Sequence, residues 1–417
     1  MADLASELNP TRLVGVDWAA EEHAVCVLDD SGRKVSSFAV AHSRDGFDKL
    51  VKRLDAFGAP GEVPVAIERP DGRLVDFLLA AGHPVVPVSP NAIKAWRESE
   101  VVSGAKSDPG DAEVIAEYLR LRQHKLVVLA PFSDETRALR AASRARDDLV
   151  DQRVAVHNQL EACLDAFWPG AKAIFADVTS EIALAFLERY PTPASARSLG
   201  EKRLGAFCTK HGYSGRRSAA ELLARLRAAP EGIGEGPESE ARRDAVLGYV
   251  RVTRALNTAI KNLSRSVVAH LGEHPDAEIF TSLPRSGQVN AAQMLAEWGD
   301  CREAYDSSEA VAALAGLTPV TKRSGKHEAV HFRWACNTRF RVAVTTFADN
   351  SRHESLWAAE VYRQAVLRGC DHPHAVRILA RAWVRVVYRC WVDRRPYDAA
   401  IHGGASRLAG VQDQEAA

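Results

Sequence analysis

Three valine-rich runs near the start of the chain set the tightest limit on its fold. Arg12–Trp18, His23–Leu28 and Lys34–Val40 are short and rich in β-branched residues, and Asp29-Asp30-Ser31-Gly32 puts turn chemistry between the second and third. Side chains branched at Cβ lose rotamer freedom in a helix and pack well on a pleated surface, so the runs predict a three-strand meander. Phe47, Leu50, Val51 and Leu54 then recur at three- and four-residue steps, which predicts a helix with one apolar face. Val63–Ile67 reads as a fourth strand, Gly72–Ala81 as a helix and Val85–Val88 as a short buried strand. A further helix starts near Ser107 and runs to Leu121, and Lys125–Leu129 reads as one more strand. The order β-β-β-α-β-α-β-α makes residues 10–130 a mixed α/β region.

The period then changes. Leu149, Arg153, Val156, Leu160, Leu164 and Phe167 step by three or four and predict one long helix over 134–168. Tyr249, Val252, Leu256, Ile260, Leu263, Val267 and Leu271 do the same over about 240–272. Two such stripes fit an antiparallel coiled-coil arm or a bundle, and equally fit ordinary core helices. Smaller helices lie between them, with a Gly/Pro/Glu-rich stretch at Ala229–Glu240 that reads as the best break in the chain. After Glu278 come a turn over Leu283–Val289, a helix at 290–298 and a Ser307-Ser308 cap on a helix reaching Leu314. A polar basic loop, Gly316–Lys326, follows, and helices at about 337–349, 353–368 and 373–391 close the fold. The expected division is 10–130, a helical region 131–275, a third region 276–395 and a flexible tail 396–417.

Composition narrows the function classes. The chain has 417 residues, enough for two or three domains, and 54 basic side chains balance 54 acidic ones. No apolar run reaches the roughly 18 residues of a membrane helix. The first ten residues have neither a basic nor an apolar stretch, which points away from secretion. The seven cysteines are odd in number and contain no CxxC pair, as expected for reduced thiols in a cytosolic protein. Cys370-Asp-His372-Pro-His374 does not match the usual zinc spacings, and His327 and His331 read as loop or helix surface. Residues 1–130 hold 15 basic and 20 acidic groups, whereas Lys322–Arg341 and Arg377–Arg395 each hold six basic groups and one acid. That asymmetry suits metal binding at one place and phosphate binding at another.

Four carboxylates stand out. Asp17 ends the first strand, Glu68 ends the fourth, and Asp108 and Asp111 lie three apart at a helix start. Taken one at a time, Asp17 can be a turn residue, Glu68 an ion-pair partner of its Arg69-Pro70-Asp71 neighbourhood and Asp108 a helix cap with proline after it. Taken together, strand ends one and four can adjoin, and a helix across that edge would add the Asp pair. Such a cluster is unfavourable without cations, and oxygen donors favour Mg²⁺ or Mn²⁺. Two such ions can clamp the attacking and leaving oxygens of a phosphodiester.

Gly15-Val-Asp17, Ala66-Ile-Glu68 and Lys106-Ser-Asp-Pro-Gly-Asp-Ala112 resemble, in order and spacing, the motifs of the IS-one-ten family of insertion-sequence transposases. These are DEDD-type, bridge-RNA-guided recombinases, and the resemblance covers about residues 10–130 and 276–395. It implies an α/β plus all-α fold: an RNase H/RuvC-like N-terminal domain, a helical coiled-coil middle and a mostly helical C-terminal transposase domain. It implies a metal-binding catalytic tetrad of Asp17, Glu68, Asp108 and Asp111, and it singles out Ser324 as nucleophile. On chemistry alone Ser324 is a weak nucleophile without an activating base or metal, flanked by phosphate-binding Lys322, Arg323 and Lys326; Ser282 and Ser286 are lesser rivals. Arg333, Asn337, Arg339 and Arg341 resemble the family's basic tract after the serine, with phosphate contact the implied role, and Lys106 and Arg285 join the expected nucleic-acid set. One departure is Pro284-Arg-Ser-Gly287, where the family often has Pro-Gly-x-Gly. Arg377, Arg381, Arg385 and Arg389 form a stripe that is either solvated surface or a backbone grip on RNA or DNA.

The expected function is therefore a DNA recombinase acting on target and donor DNA. The resemblance implies guidance by an element-encoded RNA, dimers to tetramers, and association with the nucleoid when active. A composite site would join the tetrad and Ser324, from one protomer or two. The alternative is a RuvC-like metal-dependent nuclease or junction resolvase with no covalent serine step. An ATP-binding protein of the actin and sugar-kinase fold shares the strand order, but Trp18-Ala-Ala20 replaces the small polar residues its phosphate loop needs. A non-catalytic RNA-binding scaffold leaves four carboxylates without a task.

Overall fold

The computed structural model describes residues 11–100, 107–129, 131–324 and 327–403. The chain divides into two compact units, residues 1–133 with 300–311, and residues 134–299 with 312–417.

The first unit is built on a five-stranded sheet with the order β3-β2-β1-β4-β5. β1 (Arg12–Asp17), β2 (Glu22–Asp29) and β3 (Lys34–Ala41) form the antiparallel meander, and Gly32 turns it with φ +86°. β4 (Val65–Ile67) and β5 (Val85–Pro87) run parallel to β1. Side chains alternate across the sheet as the two-residue period requires. Val14 and Val16 face α1 (Arg44–Asp55) and α2 (Arg73–Ala80), packing with Phe47, Leu50, Leu74 and Leu78. Leu13, Ala66 and Val86 face the other way, toward Ile93 of α3 (Pro90–Glu100) and Ile115 and Leu119 of α4 (Asp108–Arg122).

Two expectations change here. α3 occupies a stretch to which the sequence pattern assigns no element, because little besides Ile93 is buried along it and no apolar stripe marks it. Lys125–Leu129 is not a strand: it is a 3₁₀ turn through Lys125, then extended chain. Leu129 N donates to Val85 O at 2.7 Å, but β5 is three residues long and ends in a proline that cannot donate, so no ladder grows.

The second unit starts with two long helices, α5 (Asp134–Phe167) and α6 (Pro237–Glu273). They pair antiparallel: Thr136 Oγ1 bonds His274 Nε2 at 2.8 Å, Arg146 bonds Ser264 at 3.1 Å and Arg153 bonds Asn257 at 3.3 Å. Val252, expected on the buried face, is exposed, and Thr253 is buried in its place. Five shorter helices between them enclose a core around Phe167, Trp168, Phe186 and Phe207. The Gly/Pro-rich stretch is a connection within this unit, not a boundary. Ile233 N donates to Phe167 O, and Gly232 lies so close that a Cβ would sit 2.5 Å from Phe167 O.

The rest of the unit comprises α7 (Gln288–Trp298), a hairpin of β6 (Val320–Ser324) and β7 (His327–His331), α8 (Thr338–Ser351), α9 (Leu356–Leu367) and α10 (His372–Val392). Trp298, Phe340 and Trp391 interlock in one aromatic cluster, and Trp383 joins Phe347 and Trp357 in another. Residues 396–403 pack back, with Tyr397 N donating to Ser282 Oγ at 2.8 Å and His402 lying against Trp357. All seven cysteines are free thiols, and no helix among the described residues is long and apolar enough to cross a membrane.

His23, just after Asp17 on the neighbouring strand, is fully buried. Its Nδ1 accepts from Ala19 N at 3.3 Å, so the neutral ring protonates Nε2, which donates to His42 Nδ1 at 2.8 Å. Burial and then the neighbouring His42 lower its pKa from 6.5 to about 4. Below 6.5 the unfolded chain takes up a proton that the folded ring refuses, so stability is full above that pH and declines toward pH 4. The thermal midpoint should therefore fall as pH drops through this window, less steeply in His23→Gln; equal slopes in both proteins would contradict the assignment.

Candidate functional site

The four carboxylates are delivered by three elements of the first unit. Val16 pairs in register with Ile67, so Asp17 and Glu68 leave adjacent parallel strands side by side. Asp17 projects to the same sheet face as Leu13 and Gly15, and Glu68 to the same face as Ala66. That is the face α4 covers. Leu13 clusters with Ile115 and Leu119, while a Cβ on Gly15 would sit 2.2 Å from Ala112 O and 2.4 Å from Ala116 N. Moving along β1 toward Asp17 thus moves along α4 toward its first turn, where Asp108 and Asp111 stand. The backbone thus directs all four acids toward the same end of the sheet.

The local structure of that turn differs in one respect from expectation. Ser107, not Asp108, is the helix cap: its Oγ accepts from Gly110 N at 3.3 Å. Asp108 and Asp111 both lie inside the first turn, where the exposed N–H groups favour negative charge, and Pro109 between them needs no hydrogen-bond partner. Lys106 lies outside the described residues.

A residue that sequence reasoning missed sits on α3. Arg97 Nη1 donates to Asp111 Oδ1 at 2.7 Å, with both side chains mostly buried. No signal marked it, because its helix carries no stripe. Arg69, expected beside Glu68, pairs instead with Asp71 at 3.0 Å and lies 4.5 Å over the Trp18 ring. Among the described residues, no three carboxylate, imidazole or thiol side chains converge at metal-binding range. The donor chemistry itself fits a hard divalent cation: oxygen ligands only, all of one charge, at one edge. Arg97 shows that this edge already draws in positive charge.

The serine belongs to the second unit. Gly316–Lys326 is not simply a loop, since Val320–Ser324 pairs with His327–His331 and Ser324 sits opposite His327 at the tip of the hairpin. After Val320 the residues of β6 are polar and exposed, which hides the strand from any apolar-period reading. Ser324 is exposed. Its rivals are occupied in the fold: Ser286 is buried and donates to Phe280 O at 2.9 Å, and Ser282 donates to Ile279 O at 3.0 Å. Lys322 is exposed, Arg323 pairs with Glu328, and Gly325 and Lys326 lie outside the described residues.

The following tract is engaged in holding the fold. Asn337 caps α8, its Oδ1 accepting from Phe340 N at 3.1 Å, while its Nδ2 donates to Glu297 at 2.7 Å. Arg339 reaches Asp148 at 2.5 Å, Arg333 donates to Thr318 O at 3.1 Å, and Arg341 donates to Arg333 O. Arg285 is exposed with φ +53°, a left-handed backbone that favours glycine, and Gly287 follows at +63°. An L-residue there costs about 1 kcal/mol.

Two family profiles match the chain, one described as a transposase over residues 14–169 and one as the transposase IS116/IS110/IS902 family over residues 277–363. A mini-circle transposase candidate for IS117 from Streptomyces coelicolor is 31% identical over 397 residues, covering 93% of this chain and 95% of the relative. The chain belongs to the IS110 family of transposases. An uncharacterized 42 kDa protein of insertion element IS900 from Mycobacterium paratuberculosis is 26% identical over 404 residues, covering 94% and 98% of the two chains. A 44.8 kDa protein of IS116 from Streptomyces clavuligerus is 27% identical over 403 residues, covering 93% and 96%. As an IS110-family transposase the protein acts on DNA. The first profile spans Asp17, Glu68, Asp108 and Asp111, and the second spans Ser324 and the Arg333–Arg341 tract.

The transposase depends on Gly15 for this arrangement. Gly15→Ala places a methyl inside the α4 backbone and should destabilise the first unit by about 1–3 kcal/mol, with transposition lost even where the protein still folds. A melting curve and a transposition assay check both, and an unchanged Gly15→Ala protein would contradict the close approach.

Proposed function

We propose that this transposase cleaves and rejoins DNA with the four carboxylates and Ser324 acting on the same phosphodiester. In this reading residues 10–130 are a RuvC-like, metal-dependent domain, 131–275 a coiled-coil assembly region and 276–395 the domain that presents the serine. The observation that carries it is the register of β1 with β4 together with the seating of α4 on Gly15, which direct Asp17, Glu68 and the first turn of α4 toward the same end of the sheet. The sheet order, with an antiparallel meander followed by parallel strands, supports the RuvC-like assignment. The exposure of Ser324, against the engaged Ser282 and Ser286, supports its choice as nucleophile.

Asp17, Glu68, Asp108 and Asp111 would hold Mg²⁺ or Mn²⁺, which when bound supplies charge neutralisation and activation of oxygen nucleophiles. The Ser324 hydroxyl attacks phosphorus, losing its proton to solvent. An O–P bond forms, the bond to the displaced DNA hydroxyl breaks, and that hydroxyl takes up a proton. A DNA hydroxyl later attacks the phosphoserine and returns the serine. The exposed Lys322 favours the anionic transition state. An element-encoded RNA pairing with target and donor DNA sets sequence choice, and the paired helices α5 and α6 mediate assembly to dimers or tetramers.

Incubation with element DNA and Mg²⁺ should leave a protein–DNA adduct that denaturant does not break. The adduct should vanish in Ser324→Ala, and in Asp111→Asn should fall by at least about 100-fold, the scale of losing a group that acts in the transition state. Cleavage that persists in Ser324→Ala with no adduct would instead establish the nuclease or resolvase reading.

A further inference from the structure

A cavity of about 460 Å³ lies between the base of the β6–β7 hairpin and α10. Arg333 lines one wall and Arg377, Arg381 and Arg385 the other. Residues four apart on a helix rise by about 6 Å each, so the three guanidiniums form a row that a phosphodiester chain can follow. This places Arg377, Arg381 and Arg385 of the stripe along a groove, whereas Arg389 lies outside it and pairs with Asp393 at 2.7 Å.

Phe332 lines the cavity, and Trp334 packs against it. The guanidiniums of Arg341 and Arg377 lie over the Phe332 ring at 4.4 and 5.0 Å. Trp334 touches Phe332 with ring centroids 4.9 Å apart and ring planes at 79°, yet remains 81% exposed. An indole left this open beside a cationic row fits a nucleobase, since every base offers a π-face and stacking is tolerant of sequence. Bases inside a duplex are already stacked on each other, so the fit is to an unpaired strand.

The hairpin decides which strand. His331 borders the cavity and pairs with Val320, while Ser324 pairs with His327 at the other end of the same ladder, about 13 Å away. We infer that the groove seats an unpaired stretch of the DNA strand that Ser324 attacks, its phosphates along Arg377, Arg381 and Arg385 and one base on Trp334. The assignment to DNA rests on the Ser324 reading.

The test is equilibrium binding of the full chain to single-stranded DNA, duplex DNA and single-stranded RNA of one sequence. Trp334→Ala should weaken single-stranded DNA binding by about fivefold or more, the low end for loss of one stacked base. Trp334→Phe should keep most of the affinity, and duplex binding should change less than twofold. Arg377→Gln combined with Arg381→Gln should flatten the log–log salt dependence on single-stranded DNA by about 0.7 for each phosphate left without its arginine. Unchanged binding in Trp334→Ala, an equal weakening on duplex, or a larger weakening on RNA would each overturn the inference. The same effects are expected in a Ser324→Ala background. An absent covalent adduct with the Trp334 effect intact therefore overturns the nucleophile and leaves the strand-binding groove standing.

Discussion

A helix backbone can lie against a strand backbone only where a side chain is missing, and Gly15 is where this happens in the first unit. Ala112 O and Ala116 N occupy the space a Cβ would fill. Ala112 and Ala116 are themselves small, and with Ala24, Cys26 and Leu28 they form a tight layer under the helix. This contact fixes both the height of α4 above the sheet and its direction along β1. The first turn of α4 then has one place to end, beside the C-terminal edge where β1 and β4 release Asp17 and Glu68. Distance along the chain from Asp17 to Asp111 is bridged by packing, with no need for the acids to attract one another, which like charges cannot do.

In the second unit a buried carboxylate has the corresponding role. Glu297 is 3% exposed and accepts two hydrogen bonds from Arg144, at 2.7 and 2.8 Å, and one from Asn337. Burial pushes its pKa up, but the bonds from Arg144 and Asn337 and the charge of Arg140 outweigh that and leave it below the usual carboxylate value. One acid thus ties α5, α7 and the start of α8 together, and removing it strands charged partners. The fold gains a fixed base for the hairpin by using the same Asn/Arg tract that the family resemblance associates with phosphate.

The sheet was readable because β-branched runs broken by turn residues have few other ways to fold, and the long helices because apolar side chains recur at three and four over many turns. The acids were readable as strand-end and helix-start residues, since Val14-Gly-Val-Asp17 and Val65-Ala-Ile-Glu68 each finish an apolar run with a charge. What escaped lacks an apolar period. α3 buries little besides Ile93, the β6 strand is exposed from Thr321 to Ser324, and Lys125–Leu129 has strand composition without a partner able to extend a ladder. Arg97 escaped with its helix. Asn337 was visible as a polar residue in a basic tract, but its capping of α8 and its bond to Glu297 were not, because caps use the same residue types as many other polar contacts.

The central claim is that acids from β1, β4 and α4 serve one cation-binding edge. Diffraction from crystals of the full chain soaked in Mn²⁺, with data collected at the manganese absorption edge, tests it most directly. The account predicts anomalous density among Asp17, Glu68, Asp108 and Asp111, with Arg97 drawn away from Asp111. Manganese bound elsewhere with the Arg97–Asp111 contact intact, or no manganese at this edge at saturating concentration, would contradict it.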